Sequence, residues 1–464
     1  MDQRFSIKRL NTGFLVILLL LLINACTIEE NVTSISEPAN SFDATVALKW
    51  NGLLIDIDRY APGYRPPAAA RLMAYTGLAA YESIVPGMPE YHSIASNYVG
   101  LTLPTTNVEL EYYWPASLNA AYAFMFRSFY PHISDEDKAK IDALESNLNA
   151  QFLGEITEAV LLRSNAFGKA VAKAVFEYSI KDVYGHDAYL FPRPDNYIPP
   201  VTGPNGEKLW QPTFPDYTPA LFPYWGKVKP FAMKQTDLLG KPPIPYSEDP
   251  DSKFYQQANE VRITVNTLTH DEKWIAEFWS DDFYGVTFEP AARQVAIANQ
   301  LVENEQLALD RAIELYAKLG MAMCDAGISI WLTKYHYNVM RPVQFIRNVM
   351  EPGWKTALNH PYTGVKGISP EFPAYPSGHS GFGGSAALIF TDIFGSNYAF
   401  VDNCHKDRFE FLGMPRSFNS FLEAGMENAY SRIPLGVHYR MDCDEGLRLG
   451  YLAATRVMQM DWKK

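Results

Sequence analysis

Forty-eight residues, EPAARQVAIANQLVENEQLALDRAIELYAKLGMAMCDAGISIWLTKYH at 289–336, repeat apolar side chains three and four positions apart with no proline beyond Pro290. That period belongs to helices with a buried stripe and leaves nothing for a sheet to pair. The same spacing recurs in SFDATVALKWNGLLIDIDRY, PPAAARLMAYTGLAAYESI, SDEDKAKIDALESNLNAQFL, EITEAVLLRSNAFGKAVAKAVFEYS and the last segment from Asp442 to Gln459. Starts such as Ser134 with Asp137 carry capping chemistry. Alternating strand patterns and Asn-Gly hairpin turns are nearly absent. The reading is an all-α protein of about ten helices packed as bundles.

Residues 191–250 interrupt the array with fourteen prolines. Such a stretch cannot be helix, yet Trp210, Phe214, Tyr217, Phe222, Trp225 and Phe231 are too apolar for a disordered linker. It is expected to wrap the helical body or shape a channel mouth.

The chain opens with Arg4, Lys8 and Arg9 ahead of an apolar core at 14–23, too short for a membrane span and flanked as a signal peptide is. Ile23-Asn24-Ala25-Cys26 resembles the lipobox of bacterial lipoproteins, so residues 1–25 are expected to be removed and Cys26 to carry a lipid. The expected location is an exported bacterial lipoprotein, periplasmic or anchored at the outer membrane or cell surface. Polar residues 26–45 read as a flexible tether, and 46–464 as a single helical domain. Without residues 1–25 the chain loses three basic and one acidic side chain, and its formal charge moves from −12 to −14. An acidic chain is a poor partner for nucleic acid, so any anion site must be a local cluster of Lys and Arg. Of the remaining thiols, Cys324 sits in an apolar run, and Cys404–Cys443 is the one disulfide pairing worth considering. No CxxC and no Cys/His cluster suggests zinc.

Three clusters carry the chemistry. In FPAYPSGHSGFGG, Ser377 and Gly378 open a small-residue helix whose N-terminus suits an anion, and His379 adds a group that titrates near neutral pH. In WLTKYHYNVMRPV, Lys334 and Arg341 lie almost two helical turns apart on one face, and Pro342 ends helical geometry at Arg341. His336, two positions past Lys334, faces away from it and reads as a structural or surface residue. In SRIPLGVHYRMD, Pro434 and Gly436 put a bend between Arg432 and His438. Asp442, four residues on, can hold one imidazole nitrogen and leave the other free as nucleophile or ligand.

Taken together, Lys-x6-Arg-Pro, Pro-Ser-Gly-His and Ser-Arg-x5-His-x3-Asp resemble the signature of the type 2 phosphatidic acid phosphatase and vanadium haloperoxidase superfamily. Every fixed position is present, Ser431 included. The resemblance implies the helical-bundle fold and an oxyanion cradle of Lys334, Arg341, Ser377, Gly378 and Arg432. It implies His438 as nucleophile or as the vanadium ligand, Asp442 as its orienting partner, and His379 as the proton carrier. Trp331 and Phe372 are similar to the aromatics that line the halide side in bacterial vanadium-dependent iodoperoxidases, and IAEFWSDD also looks like that branch. EPAARQ at 289–294 departs from a Pro-Pro-Gly-Arg-Trp-like turn, which puts the neighbouring helix start in question. The resemblance implies vanadate as cofactor, with hydrogen peroxide and halide as substrates, iodide or bromide favoured over chloride. The alternatives are a soluble histidine acid phosphatase working through a phosphohistidine on His438, and an anion-binding lipoprotein without catalysis.

Overall fold

The computed structural model describes residues 35–464. Twelve helices of nine residues or more are found among them: α1 Thr45–Asp58, α2 Pro66–Ile84, α3 Trp114–Phe129, α4 Asp135–Phe152, α5 Glu158–Ser179, α6 Lys253–Asn266, α7 His270–Phe278, α8 Pro290–Asn304, α9 Leu309–Tyr337, α10 Gly378–Phe394, α11 Phe421–Tyr430 and α12 Arg440–Met458. One antiparallel pair, β1 Phe400–Asp402 and β2 Arg416–Phe418, sets Phe400 opposite Phe418. The all-α reading therefore holds, with the long periodic run at 289–336 broken into α8 and α9.

The 29-residue α9 is the axis of the molecule, packed along α2 and also against α10 and α12. Close approach demands small residues at the crossings. A Cβ on Gly320 of α9 would fall 2.8 Å from the backbone of Met73 in α2, and one on Gly446 of α12 would fall 2.5 Å from Ser377 O. The second contact brings the start of α10 onto α12, and with it two of the three motifs.

The proline-rich stretch lies on α9 rather than away from it. Asp325, fully buried on α9, accepts the N–H groups of Phe231, Ala232 and Met233 at 2.6, 2.7 and 2.8 Å. Leu221 O takes the Trp331 indole N–H at 3.3 Å and the Tyr335 hydroxyl at 2.6 Å. With fourteen N–H donors lost to proline, the segment is held by its remaining N–H groups and its carbonyls against α9 side chains, and by burial of Trp210, Phe222, Trp225 and Phe231. Tyr217 stays exposed.

One expectation needs correction, and one pairing that the sequence left open is absent. The flexible tether does not reach residue 45: Glu37 O accepts from Trp114 Nε1 at 2.8 Å, and Asp43 bridges to Ala308. Cys404–Cys443 is not formed, and Cys324, Cys404 and Cys443 are all free thiols. Cys404 packs at the edge of the main core, whereas Cys443 is buried in a separate cluster with Phe345 and Tyr439. The signal peptide and the Cys26 anchor lie outside the described residues. Among those described, no helix is long and apolar enough to cross a membrane.

Candidate active site

Trp331 and Lys334 sit in the last two turns of α9, which stops at Asn338 in left-handed geometry (φ 47°, ψ 39°). Lys334 is fully buried, and its Nζ donates to the carbonyls of Pro373 and Ala374 at 2.8 and 3.0 Å. Arg341 is extended (φ −69°, ψ 152°), as a residue before proline should be. Its Nε donates to Phe372 O at 2.8 Å and its Nη1 to Val437 O at 2.8 Å, while Nη1 lies 3.1 Å from His438 Nε2. His336 is exposed on the far side, against Tyr337.

The other two motifs meet through the backbone. Ser377 caps α10 with its side chain on Ser380 N, and its own N–H donates to Asp442 O at 2.8 Å. Gly378 and His379 then form the first turn of α10. His438 Nδ1 lies 2.9 Å from Asp442 Oδ2, which also accepts the Tyr439 N–H at 3.0 Å. A guanidinium can only donate, so Nε2 of His438 is an acceptor and the ring proton rests on Nδ1. The tautomer leaves a lone pair on Nε2, as a nucleophile or metal ligand requires.

A cavity of about 200 Å³ opens onto this assembly, with Trp331, Phe372, Gly378, His379, Arg432 and His438 among its walls. The Trp331 and Phe372 rings are 5.1 Å apart, and Phe372 lies 4.9 Å from both Lys334 Nζ and the Arg341 guanidinium carbon. Its face is thus a shelf for two cations.

Burial and crowding of like charge set the electrostatics. Desolvation, then Arg341 and Arg432, push the Lys334 ammonium well below its ordinary range. His379 and His438 are driven down by burial and by the same cations. Burial lifts Asp442 to about 7 against the pull of Lys334 and Arg341. Arg341 Nη2, Arg432 Nε and His379 Nε2 have no hydrogen-bond partner among the described residues. Unpaired buried donors are costly, so a cluster of them is a seat for an anion. A tetrahedral oxyanion would fit it by charge and by donor set, with His438 Nε2 available as a ligand.

Every site residue named from the motifs is brought into this region. The motifs missed the counter-charge. Arg432 Nη2 donates to both oxygens of Asp282 at 2.9 Å, and Asp282 and Asp281 both line the cavity. Their signal was the acidic pair in WSDD, directly after the end of α7. At the departing turn, Glu289 caps α8 ahead of Pro290 and pairs with Arg65 at 2.5 Å.

Residues 314–462 match the family model described as the VCPO second helical-bundle domain. Vanadium chloroperoxidase of Curvularia inaequalis is 25% identical over 505 residues, covering 88% of this chain and 80% of that protein. The first bacterial vanadium-dependent iodoperoxidase superposes with a TM-score of 0.77 at 27% identity, over 90% of this chain and 96% of that one. A bacterial vanadium-dependent chloroperoxidase shares the fold at a TM-score of 0.60 and 16% identity, over 85% and 91%. By its helical architecture and these likenesses, the chain is similar to the vanadium haloperoxidases, with the family-model match confined to residues 314–462.

Proposed function

We propose that the protein is a vanadate-dependent haloperoxidase that oxidises iodide or bromide, in preference to chloride, with hydrogen peroxide to hypohalous acid. The observation that carries this reading is a buried cradle with unpaired donors beside a His438 Nε2 that keeps its lone pair, walled by Trp331 and Phe372. Lys334, Arg341, Arg432, Ser377 and the Gly378 N–H would hold vanadate through its oxygens, and His438 Nε2 would be its protein ligand. Bound there, vanadate supplies Lewis-acid activation of peroxide toward halide. Asp442 keeps the Nε2 lone pair aimed outward by fixing the proton on Nδ1. His379 Nε2, unpartnered on the cavity wall, moves protons once a bound anion offsets the cations that hold it neutral. Trp331 and Phe372 give a large, weakly hydrated halide an apolar approach.

Purified protein given vanadate, peroxide and each halide in turn, beside a phosphate monoester without vanadate, tests the reading. Ester cleavage with no halide oxidation would make the protein a phosphatase acting through His438. The lipid anchor is part of the same proposal. The wild type should fractionate with membranes in a bacterium that processes lipoproteins, and Cys26→Ser should be released or left unprocessed.

A further inference from the structure

Oxidation of a halide X⁻ by hydrogen peroxide consumes one proton: HOOH + X⁻ + H⁺ gives HOX and H₂O. The O–O bond breaks, an O–X bond forms, the halide gives up two electrons, and the second peroxide oxygen leaves as water. Resting on the haloperoxidase reading, this balance asks which group in the cavity holds that proton beforehand.

The histidines are poor reservoirs. His438 keeps its lone pair for ligation, and His379 faces Lys334, Arg341 and Arg432 with no carboxylate hydrogen-bonded to it. Asp282 has both oxygens on the Arg432 guanidinium, an arrangement that needs a carboxylate. Asp281 differs from all three. It lines the same cavity, is 3% exposed, and its Oδ1 has no hydrogen-bond partner among the described residues. Behind it His405 Nε2 stands 3.5 Å from Oδ1, with its ring caged by Phe278, Phe288 and Phe411 and 1% exposed.

We propose that Asp281 is a second proton-carrying residue of the cavity, whose carboxyl O–H provides the proton that departs in the water product. The charges around it come from four directions. Arg293 of α8 is committed to Asp402 of β1 at 2.7 Å. Arg432 is committed to Asp282, and Arg59 lies at the end of α1. His405 is kept neutral by burial and by Arg293. Burial dominates and, with Asp402, raises the Asp281 carboxyl to about 7 although Arg293, Arg432 and Arg59 oppose it. A carboxyl so placed is half protonated near neutral pH, where a general acid is most effective.

The test compares the wild type with Asp281→Asn and Asp281→Glu, each checked for an unchanged thermal midpoint. Asp281→Asn should lower halide turnover below pH 7 about a hundredfold and flatten its pH profile, with vanadate affinity unchanged. Asp281→Glu should recover part of the rate with a shifted profile. In vanadate-free protein, infrared difference spectra should show protonated-carboxyl absorption that titrates near neutral pH and is reduced, not abolished, in Asp281→Asn, since Asp442 is also raised to about 7. An active wild type whose Asp281→Asn variant keeps its rate and profile overturns this inference alone, as does near-neutral carboxyl absorption left undiminished by the substitution. Equal losses in Asn and Glu variants with the profile unmoved would also overturn it, by making Asp281 merely structural. A wild type without halide oxidation fails the functional reading itself.

Discussion

Two fully buried arginines on neighbouring parts of the molecule meet different fates. Arg293 pairs with Asp402 at 2.7 Å, both side chains at 0% exposure, and lies against the rings of Phe278, Trp279 and Phe288 at 4.6, 5.1 and 5.7 Å. Arg341, equally buried, has two carbonyls, an imidazole nitrogen and one Nη left over, and no carboxylate at hydrogen-bond distance. The first has its counter-charge in place, although its Nε and Nη1 find no hydrogen-bond partner among the described residues, and its work is structural. The second is a charge held out of water with no paired carboxylate at hydrogen-bond distance. Burial alone therefore says little about function; burial without a compensating charge says a great deal.

The sharpest break is at the ligand. His438→Ala should abolish peroxidase turnover and weaken vanadate retention while the far-ultraviolet circular dichroism stays that of the wild type. Full activity in that variant would remove His438 from the mechanism.

The arginine contrast is tested next. Arg293→Ala leaves Asp402 buried and unpaired and should cost about 3–5 kcal/mol by denaturant unfolding. Arg341→Ala should cost clearly less while oxyanion binding is lost, because no partner carboxylate is abandoned. Equal destabilisation by the two would erase the distinction drawn between them.

A smaller effect concerns pH. Lys334 and His379 are held below their ordinary values in the ligand-free protein, and an anion in the cradle relieves both. Binding must then take up protons, so oxyanion affinity falls as pH rises, by up to about tenfold per pH unit for each proton taken up. Calorimetric titrations with vanadate in buffers of different ionisation enthalpy measure this uptake. A flat affinity from pH 6 to pH 9 would mean that the cations are already charged in the empty cradle.

The smallest expected change is in selectivity. Phe372→His or Trp331→Arg should shift the ratio of iodide to bromide oxidation a few fold, since cation–π contacts at such sites are worth about 1 kcal/mol. The ratio at saturating vanadate is the quantity to measure. Phe372→His also removes the shelf under Lys334 and Arg341, so its effect should exceed that of a conservative Phe372→Tyr.

What could be read from the order of residues was local. The three- and four-residue periods gave the helices, proline gave the irregular stretch at 191–250 and the extended Arg341, and His438 with Asp442 is an i,i+4 pair. Each follows from geometry within a turn or two of chain. The partners of Arg432 and Arg293 stand 150 and 109 residues away, and no spacing rule connects them. The chain alone thus determined an all-helical fold and the three motifs whose resemblance implies an oxyanion cradle, because backbone period and turn chemistry are set by neighbours in sequence. Only packing decided that Arg293 meets a carboxylate while Arg341 meets none at hydrogen-bond distance, that Cys404 and Cys443 fall in separate clusters, and that Asp281 and Asp282 face the cavity. A buried charge is defined by what surrounds it in space, and that is fixed when α2, α9, α10 and α12 close on one another.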